Sequence, residues 1–419
     1  MIIFISDFDL RGSGYMNIAV ATCNELVRRG YAVTALGAGY DGTEHHWDFS
    51  IIPVPHRAMY GQIPMMVHNL KVLADAGKFP PIEAIIVALD IPAHDHYLKM
   101  QAKVGIPYIG IFPVESRPLC QTWANVLAKM DERLVISKFG LHEMEEVGVN
   151  GVHFPVGLDT DSWRMPSPEE RTALRASMNY ADDEFVILTV ADNQERKNLS
   201  SAMDVVKILA ERGVNVHWNL VTRIGSTVGW KLHDMAVAKG VADRCSFFER
   251  GLAHERLWML HASSDAFLLT SKAEGLCMPV VEAMASGVPV VATDVSAIPE
   301  HLWADYPARG IQRGLPIDVE YWVEDPWGNS MRAYINRESA ANQLMRIKEN
   351  EFGDKLVKSA RAYAEGRTWE AAGEVLDEVL QRLIVKPAVA PPAEAPPTLP
   401  HVVPPIVAPT APPVVPEEG

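Results

Sequence analysis

Between Asp265 and Asp294 the sequence changes pattern and changes back, and this alternation limits the folds open to the chain. DAFLLTS (265–271) is apolar and β-prone with polar residues at its ends, the mark of a buried strand. Pro279 suits a first helical turn, residues 280–286 read as a short helix, and Gly287 is a natural left-handed stop. Residues 288–292 read as a second buried strand. Strand, loop, helix, strand, with apolar runs rather than alternation in the strands, is the unit of a parallel α/β sheet. Glu274 falls on the loop leaving the first strand and Glu282 in the first turns of the helix. The loop amides and the positive helix end face one cleft, a natural place for an anionic group.

The same rhythm runs through the rest of the chain. Residues 1–6 form a strand followed by the loop DFDLRGSGY. Met16, Val20, Cys23 and Val27 then recur at helical spacing up to Gly30, and 32–37 is the next strand. The loop is not a dinucleotide fingerprint, because only Gly12 and Gly14 are present, and this excludes an NAD-dependent oxidoreductase. Residues 82–89 and 108–112 are two more buried strands, ending at the polar clusters 90–96 and 113–117. Both clusters are candidate site loops, since ligands sit at the carboxyl ends of parallel strands. His94 and His96 flank Asp95, which reads as a solvent-facing turn rather than a metal site. Strands follow at 133–137, 185–191, 214–222 and 245–249, with helices at 138–148, 199–212, 255–262, 338–348 and 356–365. Trp303, Trp322 and Trp327 lie in a polar, Pro- and Gly-containing insertion that this rhythm does not place.

A chain of 419 residues has room for two α/β domains with full cores. The net charge of -15 argues against a broad footprint on a nucleic-acid backbone. Cys23, Cys120, Cys245 and Cys277 are scattered with no C-x-x-C spacing, as in a reduced, cytoplasmic protein. MIIFIS lacks a basic leader and reads as a strand, and no apolar run reaches the length of a transmembrane segment. After Lys386 the composition turns to Ala, Val and Pro, with twelve of the 30 prolines, as in a disordered tail.

The paired acids Glu274 and Glu282, with Gly275 and Pro279 between them and GVPVV after, resemble the signature of retaining glycosyltransferases with the GT-B fold. The likeness is to family 4, the glycosyl transferases group 1. It implies two facing Rossmann-like domains with a cleft between them: an acceptor domain over 1–159 and a donor domain over 160–366. A helix over 367–385 would cross back to the first domain, and the tail would occupy 386–419. The hinge is the segment VHFPVGLDTDSW, with the boundary near Asp159. By the resemblance, Glu274 contacts the donor sugar and Glu282 the ribose hydroxyls. Gly275, Leu276, Cys277 and Met278 line sugar and phosphate, although the family usually has a second glycine or an aromatic residue at Leu276 and Cys277.

The loop DNQERKN is similar to the family's donor-phosphate loop, with Lys197 at its lysine. The upstream arginine falls on Asp192, which leaves Arg196 to take its place. Gly12, Ser13 and Gly14 would lie against the donor phosphates and the acceptor, with a plain tight turn as the other reading. Glu115, Asp9 and His94 would face the acceptor, with a simple loop carboxylate as the other reading of Glu115. The implied activity is a metal-independent transfer, of hexosyltransferase type, from a nucleotide-diphosphate sugar with retention of anomeric configuration, using Glu274, Lys197 and Arg196 and no cofactor. The acceptor stays open among a glycan, a small molecule, a lipid, a protein and a modified nucleobase, as does the oligomeric state. The alternatives are a GT-B-fold sugar-nucleotide epimerase and a non-catalytic sugar-nucleotide-binding protein.

Overall fold

The computed structural model of the protein describes residues 1–326 and 328–384, so the expected tail and Trp327 lie outside the described residues. The first sheet has seven parallel strands: β1 (Ile2–Asp7), β2 (Val33–Ala38), β3 (Ser50–Val54), β4 (Ala84–Ala88), β5 (Tyr108–Phe112), β6 (Glu132–Val135) and β7 (Val152–His153), in the order β3-β2-β1-β4-β5-β6-β7. Six strands make the second: β8 (Phe185–Val190), β9 (Val216–Thr222), β10 (Cys245–Glu249), β11 (Ala266–Leu269), β12 (Val290–Thr293) and β13 (Leu315–Ile317), ordered β10-β9-β8-β11-β12-β13. AIIVA in β4 and YIGIF in β5 are buried at every position because helices cover both faces of the sheet.

Both sheets reverse their winding once, between β1 and β4 and between β8 and β11. At such a reversal the loops leave neighbouring strands in opposite directions and open a crevice at the carboxyl ends. The loops 8–13, 90–91, 191–198 and 270–277 are all of this kind.

The helices sit where their end signals direct. Ser13 caps Gly14–Arg28 by accepting from the Met16 amide, and Pro279 lies in the first turn of Met278–Ala285, which stops before Gly287 at φ 76°. Trp369–Leu383 lies on the first domain. Leu376, Val379 and Leu380 bury into the cluster of Ile2 and Phe4, and the Tyr31 hydroxyl donates to Asp377 at 2.5 Å. Among the described residues no helix is long and apolar enough to cross a membrane.

One sequence expectation fails here, and one stretch the sequence left unplaced takes a definite form. Residues 90–96 are not a solvent-facing turn. Asp90 precedes the helix Ile91–Val104, which Pro92 starts and Gly105, at φ 64°, ends. The Trp-bearing insertion is an antiparallel hairpin, β14 (Val319–Asp325) with β15 (Ser330–Ile335). It is also tied to distant loops: the Met331 amide donates to Arg117 O at 2.8 Å and the Ala333 amide to Lys272 O at 2.9 Å. The hairpin thus joins a loop of the first sheet to a loop of the second.

Candidate active site

The loops after β8 and β11 are fastened to each other before any side chain is considered, because the Lys272 amide donates to Arg196 O at 2.8 Å. Asn198, in the left-handed conformation at φ 52°, ends the single turn Glu195–Lys197 and turns the chain into the helix Leu199–Glu211. This brings Lys197 Nζ to 2.6 Å from Glu274 Oε1 and Arg196 Nη1 to 2.9 Å from Glu274 Oε2. The other arm of Arg196 reaches Glu115 Oε1, after β5, at 2.9 Å. Burial alone would push the Glu274 carboxyl up, but Lys197 and Arg196 outweigh it and hold it down to about 2. The result is a pair of fixed, desolvated cations with compensating carboxylates at the mouth of the crevice.

Glu282 is the opposite case. It lies one turn into Met278–Ala285, is 6 % exposed, and makes no side-chain hydrogen bond among the described residues. Burial pushes its carboxyl up to about 7. An unpartnered buried carboxylate is costly until a ligand brings hydroxyl donors to it.

The loop between the two acids is pressed against the first domain. A Cβ on Gly275 would stand 2.4 Å from Pro113 Cβ, so a side chain there would force the domains apart. Leu276 is buried among first-domain residues such as Phe8 and Ile111, and Cys277 takes a left-handed φ of 70°. Leu276 O accepts from His301 Nε2 at 2.6 Å, and the other ring nitrogen meets the Tyr363 hydroxyl at 2.8 Å. Burial brings His301 down to about 3, so it is neutral and acts as a strut for this loop. The Leu276 and Cys277 side chains therefore pack, and what this loop offers a ligand is its backbone.

On the first-domain side, Gly12 adopts φ 87° and Ser13 is spent on its helix cap. Asp9 is buried and held by Arg11 (Nε 2.9 Å, Nη2 2.8 Å), with Arg250 of the second domain at 3.5 Å. The Arg11 hydrogen bond keeps its carboxyl below the usual range, so Asp9 is an anchor between the domains. The Tyr15 hydroxyl donates to Asp90, and burial raises the Tyr15 phenol. Burial also raises Glu115, against the pull of Arg196.

His94 does not face an acceptor. It is fully buried, with Nδ1 at 2.8 Å from the Tyr108 hydroxyl and Nε2 at 3.0 Å from Leu89 O, and burial lowers it to about 4. The helix that replaces the expected turn rotates His94 into the core. Asp192, where the resemblance would want an arginine, accepts from Arg223 Nη2 at 2.9 Å, which puts a cation from the end of β9 beside that position. Arg223, Arg250, Tyr15, Asp90 and Arg332 were not singled out from sequence. The first two follow strand ends directly, a signal that was there to be read.

In the two Asp-x-Asp sequences, Asp7–Phe8–Asp9 and Asp159–Thr160–Asp161, the first carboxylate accepts from the backbone amides just after it. Asp7 accepts from the Asp9 amide at 2.9 Å, and Asp159 from the Asp161 and Ser162 amides at 3.1 and 3.3 Å.

Two doubly wound domains with an ion-paired crevice between them define the GT-B architecture, and solved structures agree. Sucrose-phosphate synthase from Thermosynechococcus elongatus superposes with a TM-score of 0.71 at 17% identity, covering 91% of this chain and 98% of that one. Anabaena HepE in complex with UDP and glucose gives 0.68 at 17% identity, covering 91% and 99%. Residues 170–311 match the model of the family described as glycosyl transferases group 1. Over 162 residues the chain is 30% identical to the D-inositol 3-phosphate glycosyltransferase of Mycobacteroides abscessus, 38% of this chain and 34% of that protein. The match thus spans about a third of the relative's length.

Proposed function

We propose that the protein is a glycosyltransferase that moves a hexosyl group from a nucleotide-diphosphate sugar to a hydroxyl acceptor with retention. The observation that carries this reading is the Lys197–Glu274–Arg196 triad, followed by the helix that carries Glu282, a buried carboxylate with no side-chain hydrogen bond among the described residues. The family segment covers all four residues, and a structural neighbour was solved with UDP and glucose.

In the reaction, negative charge grows on the departing diphosphate. Lys197 and Arg196 are already desolvated and oriented, so they stabilise that charge without reorganising. Glu282 accepts from the ribose hydroxyls. Glu274, held ionised beside the sugar, stabilises the positive charge that develops at the anomeric carbon. With both oxygens engaged by cations it is a poor nucleophile. The acceptor hydroxyl therefore enters on the face the diphosphate leaves and passes its proton to the departing phosphate oxygen, which preserves the configuration. The two cations do the electrostatic work a metal would do, and no divalent ion is required.

The test is a thermal-shift screen of nucleotide sugars followed by product analysis. A ligand bound only by the native state raises the melting temperature, and the cognate donor should do so and yield an α-linked product from an α-linked donor. A product of inverted configuration would contradict the proposal.

A further inference from the structure

Beside the triad, on the first-domain side, lies a cavity of about 270 Å³. Tyr60, Trp123 and Pro113 give it apolar walls, and Asp90, Glu115 and Arg332 supply its charges. All come from the first domain except Arg332, which β15 brings in from the hairpin. The hairpin lies outside the family segment 170–311.

The hairpin is bolted across the cleft rather than hanging over it. Ser330 Oγ is 2.9 Å from Ser116 Oγ, and the Met331 amide donates to Arg117 O at 2.8 Å. On the other side the Ala333 amide donates to Lys272 O at 2.9 Å, and Lys272 Nζ donates to the Tyr334 hydroxyl at 2.6 Å. At the turn, a Cβ on Gly328 would stand 3.0 Å from Trp123 Cη2, so the hairpin backbone supports the indole that lines the cavity.

The charges of the cavity are already spoken for. Asp90 takes the Tyr15 hydroxyl, Glu115 takes Arg196 at 2.9 Å, and Arg332 takes Asp325 at 2.7 Å. An anionic ligand would meet two carboxylates and no free cation among these lining groups. Of the two carboxylates, Glu115 is compensated by Arg196 at 2.9 Å and by Arg332 at 3.9 Å, while Asp90 holds the neutral Tyr15 hydroxyl. What remains is spare lone pairs on Asp90 and Glu115, which suit hydroxyl donors, and the buried Nη1 of Arg332, which makes no hydrogen bond and stands 3.9 Å from Glu115 Oε2. That donor asks for a neutral oxygen. Tyr60 and Trp123 offer flat apolar faces, and the volume is below the ~300–1,000 Å³ of pockets that enclose drug-sized ligands.

We propose that this cavity holds the terminal ring of an uncharged polyhydroxylated acceptor, a sugar or a cyclitol, and that the hairpin β14–β15 sets this selectivity. The inference rests on the glycosyltransferase reading for the word acceptor, but the cavity can be tested without a donor.

Saturation-transfer NMR on the full chain would compare methyl α-glucoside, methyl α-mannoside and myo-inositol with glucose 6-phosphate, mannose 6-phosphate and inositol 1-phosphate. The glycosides against myo-inositol separate the sugar from the cyclitol. The expected result is saturation of at least one neutral ring, at least tenfold above its phosphorylated counterpart. Tyr60→Ala, at an exposed ring, and Gly328→Val, which crowds Trp123 through the hairpin, should each cut that signal at least fivefold with the fold intact by circular dichroism. Equal or stronger saturation of the phosphorylated rings, saturation of neither class, or a signal indifferent to Gly328→Val would overturn the proposal. Calorimetric titration with nucleotide sugars decides the glycosyltransferase reading separately, so the two can fail independently.

Discussion

On the proposed donor side of the crevice, the ionic groups come from two adjacent loops of one sheet and hold each other at 2.6–2.9 Å. On the proposed acceptor side they come from the ends of β4 and β5 and from a hairpin of the other domain, and a cavity is left between them. The donor half is a rigid electrostatic device, as suits a diphosphate whose chemistry is the same in every turnover. The acceptor half is a shaped space assembled from distant pieces, where changes in one piece can alter specificity without disturbing the charge network. Gly275 against Pro113, Arg250 near Asp9, and the hairpin join the halves.

The sharpest way to break this division is Lys197→Met. Loss of one oriented charge-stabilising group typically lowers kcat by ~10²–10³-fold, and steady-state kinetics should show that loss with the acceptor KM little changed. If the acceptor KM rises as much as kcat falls, the halves are not separable. Gly275→Ala probes the contact between them. Its new methyl would sit 2.4 Å from Pro113 and must shift the loop by a sizeable fraction of an ångström. Misplacements on that scale cost up to ~10²-fold, so kcat should fall and donor affinity less so. An unchanged kcat would show that the domains do not need this approach.

Glu282→Gln comes next. Losing a hydrogen bond to a charged group costs about 1.5–3 kcal/mol, which calorimetry would read as a ten- to hundredfold weaker donor. The smallest effect is the pH dependence of the same residue. Its carboxyl sits at about 7 in the folded protein, against ~4.3 in an unfolded chain. Below ~4.3 it is protonated in both states. Between the two values only the folded state holds the proton, so this group's contribution to stability falls as pH rises through that window, and the loss is complete above about 7. A ribose hydroxyl prefers the ionised form, so donor affinity should weaken as pH drops below about 7. The Glu282→Gln variant should lose that dependence. A wild-type affinity flat between these pH values would remove Glu282 from the ribose site.

The same contrast governs what could be read from sequence. Lys197, Arg196, Glu274 and Glu282 lie on short segments whose strand, loop and helix signals are local, so the reading brought them to the loops and helix they occupy. The acceptor half depends on tertiary placement. IPAHDHYLKM looks like a polar turn because its proline and charges mask a helix, and only the packed helix shows His94 turned inward. SIIPV in β3 is an edge strand containing Pro53, too weak a pattern to stand out. The hairpin was opaque because its stabilising contacts, to Ser116, Arg117 and Lys272, lie far away in the chain. Asp192 looked like a defect in the phosphate loop until Arg223 appeared beside it, a compensation that no local window contains.

The central claim is that fixed protein cations, without a metal, hold a nucleotide-diphosphate sugar in the second domain. Calorimetric titration of the full chain with UDP- and GDP-sugars in excess EDTA tests it most directly. The account predicts saturable binding of one donor, with an affinity that added magnesium or manganese leaves unchanged. Absence of binding to any nucleotide sugar, or binding that appears only when a divalent cation is restored, would contradict it.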